Sequence, residues 1–257
     1  MDKLTVESGS RFLASTLHEV RTPIQTIIST TELLQDTVLD KEQTEYVHQI
    51  EFSANALLEL ANDVLDFTKI HSENFKLENV PFDIVELTER AVDLISIEAF
   101  NKNLEVITDI DYSIPNNVMG DPTRIQQIIL NLVKNAVKFT SQGFVMIKLT
   151  YEKGYYLFEV IDSGIGVAEE KQKLIFKDFY QVDASTTRKF GGTGLGLAIS
   201  KNLVGVMNGR IGILSNGKLG SNFWFTLPLE KSLFDEKKIP PFIIPLETKF
   251  LLLTIQI

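Results

Sequence analysis

Apolar positions in the first part of the chain recur at alternating spacings of four and three: Leu13, Leu17, Val20, Ile24, Ile27, Thr31 and Leu34. A seam of this kind predicts a long helix lying alongside another. A polar break over Asp36 to Lys41 follows, and then a second seam: Val47, Ile50, Ala54, Leu57, Ala61 and Val64. Two helices with a short connection predict an antiparallel hairpin. Ile28 and Leu33 on the first helix, and Leu58, Leu60 and Leu65 on the second, widen the apolar face beyond what one hairpin buries. The expected solution is a dimer forming a four-helix bundle, with packing on the rest of the chain as the alternative.

Near residue 71 the pattern changes. His71-Ser72-Glu73-Asn74 is polar, and Val80-Pro81 ends any helix. Beyond it, helix and strand periods mix. Asp83 to Asn101 and the run opened by Asp121-Pro122 read as helices, the second with an N-cap residue followed by proline at the first helical position. Leu104 to Ile110, Phe144 to Tyr151, Tyr155 to Asp162, Ile211 to Leu214 and Asn222 to Leu229 read as strands, with a Lys153-Gly154 turn joining the second pair. Gly194 to Met207 reads as a helix. The expected architecture is an all-α two-helix hairpin over 1–72, then an α+β sandwich over 73–231 with an antiparallel or mixed sheet. Residues 232–257 read as a linker and one strand without a sheet; the expectation is the first strand of a truncated following domain, with folding back on the preceding domain or pairing with another chain at an edge as the alternatives.

Composition narrows the chemistry. The chain has no cysteine, which excludes disulfides, thiol nucleophiles and Cys-ligated zinc, and only three histidines: His18, His48 and His71. A net charge of −9 argues against general nucleic-acid wrapping. No run approaches the ~20 apolar residues that span a bilayer.

Four motifs carry candidate chemistry. Gly191-Gly192-Thr193-Gly194-Leu195-Gly196 precedes a helix, so its backbone N–H groups can approach phosphate oxygens, with Arg188 and Lys189 just upstream. It lacks the Gly-Lys-Ser/Thr of a Walker loop. Asp162-Ser163-Gly164-Ile165-Gly166 ends a strand and offers a carboxylate to the amine of a base; an ordinary turn is the plainer reading. Asn131, Asn135 and Lys138 share one helical face, where amide oxygens suit magnesium and the lysine suits phosphate. His18-Glu19-Val20-Arg21-Thr22-Pro23 interrupts the first seam, and its proline is expected to kink the helix.

In order and company these motifs resemble the sensor histidine kinase family over nearly the whole chain to about residue 230. Phe12 to Pro23 is similar to its H box, Asn131 to Thr140 to its N box, and Asp162 to Gly166 to its G1 box. Ile175 to Gln181 is similar to its F box, and Gly192 to Leu197 to its G2 box. The wording around Phe179-Tyr180-Gln181-Val182-Asp183 most resembles the hybrid type, and Leu17 departs from the serine common there. The resemblance implies that His18 accepts the γ-phosphoryl of ATP, with Glu19 assisting and Thr22 placed for dephosphorylating the partner. It implies magnesium on Asn135 with Asn131 nearby, phosphate contacts from Lys138, Arg188, Lys189, Gly192, Thr193, Gly194, Leu195 and Gly196, and adenine contacts from Asp162, Gly164 and Gly166. It further implies a lid over Tyr180 to Gly192, a hinge over Ser72 to Pro81, and a homodimer. The partner would be a response-regulator receiver domain whose aspartate takes the phosphoryl group. The expected location is cytoplasmic, with membrane attachment only through segments upstream. The rivals are an ATPase of the gyrase, chaperone or mismatch-repair type, which needs no phosphoacceptor histidine, and a degenerate kinase serving as a scaffold.

Overall fold

The structure, a computed structural model, describes residues 3–70, 72, 75–178, 180, 193–215, 217 and 219–232; for residues 3–16 and 18 it describes the backbone alone. The expected linker and lone strand therefore lie outside the described residues, apart from Ser232, as does the expected lid except Tyr180.

Helices α1 (Lys3–Gln35) and α2 (Lys41–Ile70) form the hairpin, and α1 runs on through Pro23. A reciprocal capping box starts α2: Asp40 Oδ1 accepts from Gln43 N at 2.8 Å, and Gln43 Oε1 accepts from Asp40 N at 3.0 Å. Arg21 Nη2 donates to Asn62 Oδ1 at 2.9 Å and Gln35 Nε2 to Glu51 Oε2 at 2.7 Å, which fixes the pairing of the two helices.

The two seams divide by burial. Ile24, Thr31, Val47, Ala54 and Ala61, each at heptad spacing, are buried in the hairpin. The interleaved series is not: Val20, Ile27 and Leu34 are 40, 44 and 41% exposed, and Ile50 and Leu57 are 46 and 54% exposed. The C-terminal end of α2 has another partner, because Ile70 joins the core of the second domain, with Val64 and Phe67 packed against it. The hairpin thus also packs on the rest of the chain.

That domain begins inside the expected hinge. Phe75 packs against the core beneath the Arg124 guanidinium (5.8 Å to the ring centroid), and Glu78 N donates to Asp121 Oδ2 at 3.1 Å. Val80 and Pro81 open β1 (Val80–Asp83). Proline ends a helix but is accepted in the first residues of a short edge strand, so the Val80-Pro81 signal marks a strand rather than a free joint.

Asp83 caps α3 (Ile84–Asn101) by accepting from Val85 N and Glu86 N. Strands β2 (Glu105–Ile110) and β3 (Asn117–Gly120) precede α4 (Pro122–Phe139). Then come the hairpin β4 (Phe144–Glu152) and β5 (Tyr155–Asp162), and the single turn α5 (Glu169–Gln172). Lys153 (φ +52°) and Gly154 (φ +90°) turn that hairpin with two positive-φ residues, as its right-handed twist favours. Helix α6 (Gly196–Val206), β6 (Arg210–Leu214), β7 (Ser221–Leu227) and β8 (Glu230–Lys231) complete the order.

The main sheet runs β2-β4-β5-β7-β6, parallel between β2 and β4 and antiparallel elsewhere. A small antiparallel sheet, β1-β3-β8, joins the two ends of the domain. The strand expected over Asn222 to Leu229 is split at Pro228, where the missing N–H ends the β7 ladder and the chain crosses to the small sheet. One face of the main sheet carries Val145, Ile147, Leu149, Tyr156, Phe158, Val160, Phe223, Phe225 and Leu227, all buried against α4 and α6. Phe158 and Phe225 stack at 4.4 Å and 5°.

Candidate nucleotide site

The site is built around α4. Asp121 Oδ1 accepts from Arg124 N at 3.0 Å while Pro122 fills the first turn, so the helix starts where the sequence expects. Its buried stripe, Ile125, Ile128, Ile129, Leu132, Val133 and Ala136, locks the rotation of the helix. That rotation turns Asn131, Asn135 and Lys138 away from the core. Asn131 Nδ2 donates to Ser200 Oγ on α6 at 2.7 Å, and Asn135 Nδ2 donates to Asn131 Oδ1 at 3.4 Å. Gly196 lies against this pair, since a Cβ there would stand 2.3 Å from Asn131 Oδ1. Burial pushes the Lys138 ammonium below the ordinary lysine range, opposed by Glu59 of α2.

Asp162 ends β5 and is buried. Its Oδ1 accepts from Gly164 N at 2.8 Å, and the Ser221 backbone N–H also donates to the carboxylate. Burial pushes its carboxyl above the usual range, and these two bonds oppose that shift. Gly164 is required by its neighbours: a Cβ would meet Phe139 O at 2.6 Å, Asp162 Oδ1 at 2.8 Å and Thr140 Oγ1 at 2.9 Å. Gly166 (φ +70°) and Gly194 (φ +73°) occupy the left-handed region, where glycine is unstrained. Thr193 Oγ1 accepts from Leu195 N at 3.1 Å, and the buried Leu195 leads into α6 at Gly196.

The structure thus brings Asn131, Asn135 and Gly196 together where α4 meets the start of α6, with Thr193, Gly194 and Leu195 leading into that helix and Lys138 one turn on from Asn135; Asp162 and Gly164 lie at the α4 C-terminus, and Gly166 follows them. Glu19 and Thr22 lie exposed on α1. Arg188, Lys189, Gly192 and the side chain of His18 lie outside the described residues. Asn135, with its amide nitrogen directed at Asn131, has its carbonyl oxygen left for a hard cation. Such a neutral oxygen suits magnesium whose anionic ligands are nucleotide phosphates, so the residues present fit that ion.

Two acids on α2 enter the picture that sequence reasoning passed over. Asp63 Oδ2 accepts from Thr193 Oγ1 at 2.5 Å. Burial pushes the Asp63 carboxyl up, opposed by the Thr193 bond and by Lys134. Asp66 pairs with Arg124 Nη1 at 3.3 Å and accepts from Gln127 Nε2 at 2.8 Å. A cleft of about 650 Å³ lies between α2 and the α4–α6 face, with Asp63 and Asp66 on one wall and Asn131 and Lys134 on the other. The only sequence signal was a polar pair spaced i, i+3 on the second helix, which reads as a solvated face.

Two family models match the chain. Residues 9–73 match the His Kinase A (phospho-acceptor) domain, and residues 120–231 match the histidine kinase-, DNA gyrase B- and HSP90-like ATPase. The signal transduction histidine-protein kinase BarA of Escherichia coli is 42% identical over 226 residues, covering 86% of this chain and 25% of its own length. The sensor histidine kinase GacS of Pseudomonas protegens is 38% identical, covering 90% of this chain and 26% of its own length. The chain therefore spans about a quarter of the length of these relatives. Among solved structures, full-length ShkA in complex with AMPPNP superposes with a TM-score of 0.74 at 35% identity, covering 86% of this chain and 46% of that one. Among the described residues no helix is long and apolar enough to cross a membrane.

Proposed function

The chain belongs to the two-component sensor histidine kinases, whose phospho-acceptor and ATP-binding core it spans, and on that premise we propose that it moves the γ-phosphoryl of ATP to His18 and on to a receiver-domain aspartate. The observation that carries this reading is the pairing in one chain of a phospho-acceptor hairpin bearing His18 with an ATPase-type domain docked beside it. The phospho-acceptor match leaves the gyrase-type ATPase alternative unfavoured.

In the first step an imidazole nitrogen of His18 attacks the γ-phosphorus; an N–P bond forms as the P–O bond to ADP breaks, and ADP leaves. Glu19 takes the hydrogen bond of the other ring nitrogen and keeps the attacking one basic. Asp162 accepts from the adenine amine, and Gly164 and Gly166 let the base lie against backbone. Lys138 and the amides of the Thr193–Gly196 loop hold phosphate oxygens, with Arg188, Lys189 and Gly192 in support. Magnesium held by Asn135 would supply charge neutralisation on the phosphates. In the second step the phosphoryl group passes from His18 to a carboxylate oxygen of the receiver, and Thr22, one turn from His18, orients the water that later removes it.

The heptad-spaced residues left exposed on α1 and α2 support a homodimer, since a second copy of the same stripe covers them as a four-helix bundle. ATP as donor places the reaction in the cytoplasm. Incubation with γ-labelled ATP tests the reading. The expected result is an acid-labile, alkali-stable label on the protein that disappears in His18→Gln; label that persists in that variant refutes it.

A further inference from the structure

We propose that Ser200 is a positioning residue for the cation site: its buried hydroxyl sets the orientation of the Asn131 amide, which in turn sets which end of the Asn135 amide faces magnesium. The proposal rests on the reading of Asn135 as the magnesium ligand.

A side-chain amide is nearly symmetric in shape but not in chemistry. One end accepts and the other carries two donors, so its neighbours decide which way it points. Asn135 can serve a cation only with its oxygen, and its nitrogen must then be taken up elsewhere. Asn131 Oδ1, one helical turn earlier on α4, takes it at 3.4 Å. Asn131 can present oxygen on that side only while its own nitrogen has an acceptor on the other. Ser200 Oγ is that acceptor, at 2.7 Å. The three groups form a relay of fixed polarity. Ser200 oxygen receives from Asn131 nitrogen, Asn131 oxygen receives from Asn135 nitrogen, and the Asn135 oxygen is left for the ion.

The surroundings hold the relay in place. Ser200 is 1% exposed, and a hydroxyl taken out of water costs free energy unless it is hydrogen-bonded. Ala198, Ile199, Leu203 and Val204 are buried on the same helix, which fixes the face that α6 turns to α4. Gly196, one turn before Ser200, lets α6 close on Asn131: a Cβ there would stand 2.3 Å from Oδ1 but 3.4 Å from Nδ2. The oxygen end of the Asn131 amide therefore lies over Gly196 and the nitrogen end meets Ser200. Without the hydroxyl, the Asn131 amide is free to turn over and present its nitrogen to Asn135. Asn135 must then turn its oxygen to Asn131 and its nitrogen to the ion. Ser200 acts through two side chains, so its loss is expected to bear on magnesium rather than on the base or the fold.

Titration calorimetry with AMPPNP, in excess magnesium and in EDTA, reads the metal-dependent part of binding. Ser200→Ala is expected to lose about tenfold in affinity in magnesium, the scale of a lost outer partner of a metal ligand, and to change by less than about twofold in EDTA. Asn131→Asp offers acceptors at both ends, so its carboxylate holds the Asn135 nitrogen whichever way it turns. In that background Ser200→Ala is expected to change the affinity in magnesium by less than about twofold. Equal losses in magnesium and in EDTA assign Ser200 a merely structural role and overturn the relay, as does an unchanged affinity in magnesium. A penalty of about tenfold that persists beside Asn131→Asp overturns it as well. If Asn135→Ala binds AMPPNP in magnesium as wild type does, the reading of the cation site itself fails, and the relay with it.

Discussion

Gly196 and Gly205 lie on one helix, α6, yet their replacement by alanine is expected to act in opposite directions. At Gly196 a Cβ would stand 2.3 Å from Asn131 Oδ1 and 3.1 Å from its Cγ. Ordinary contact would need the amide to retreat by about 1 Å. The backbone of α4 cannot give, because Ile128, Leu132 and Val133 on either side of Asn131 are 0% exposed. The side chain must therefore rotate and release Ser200, whose hydroxyl is buried and receives the Asn131 amide at 2.7 Å. Losing that partner costs about 1–3 kcal/mol, and the gain from alanine in a helix offsets up to ~1 kcal/mol of it. The net is a loss of about 1–2 kcal/mol, or roughly 2–8 °C in Tm for a domain of this size. Nucleotide affinity is expected to fall about tenfold with the displaced Asn131. At Gly205 a Cβ meets nothing within 4 Å, and no positive φ strains it. Gly205→Ala should gain about 0.4–1 kcal/mol through the unfolded chain and leave affinity alone. Thermal melts and titration with a fluorescent ATP analogue read both variants. A Gly196→Ala protein with wild-type Tm and affinity would refute the packing account of Asn131.

Thr140 is 1% exposed and its Oγ1 has no hydrogen-bond partner among the described residues, so Thr140→Val is expected to raise the melting temperature of the nucleotide-free protein by a few degrees, about 1 kcal/mol; a lower value contradicts this. Asp162 is held above the usual carboxyl range by burial, so folding penalises its ionised form. Its stabilising contribution is complete below the unfolded value of about 4 and is lost as pH rises through the raised folded value. Asp162→Asn should therefore melt higher than wild type at neutral pH, with the difference closing toward pH ~4, while binding adenine nucleotide more weakly; a pH-independent difference counts against the burial account. Ile27 is 44% exposed on the unpartnered heptad stripe, and Ile27→Asp should shift sedimentation toward monomer while the melting temperature of the ATP-binding domain stays in place.

Much of the site was legible because its residues sit where local rules are strong. Asp121-Pro122 marked the start of α4 by cap chemistry, and the apolar period of that helix then fixed which face Asn131, Asn135 and Lys138 share. The turn at Lys153-Gly154 gave the β4–β5 hairpin and hence the strand end that carries Asp162. The small sheet was not legible, because β1, β3 and β8 are four residues or fewer and draw their stability from partners 30 or more positions away. Neither local propensity nor period can report such pairings. Val80-Pro81 in particular carries one signal, a helix stop, that serves equally for a hinge and for an edge strand.

The same physics explains why the α2 acids were invisible while the glycine loop that Asp63 touches was conspicuous. A glycine cluster is improbable unless backbone must approach something, so it is noticed before its ligand is known. Asp63 and Asp66 are ordinary residues for the outer face of a bundle helix, and only docking of the second domain removes Asp63 from water and gives both acids partners. The cost of that burial is what ties the domains. A carboxylate leaves water only where a donor meets it, so Asp63 depends on the Thr193 hydroxyl for as long as the cleft stays narrow. Widening the cleft relieves the burial and breaks the bond together. The contact is therefore expected to be made or lost as a unit.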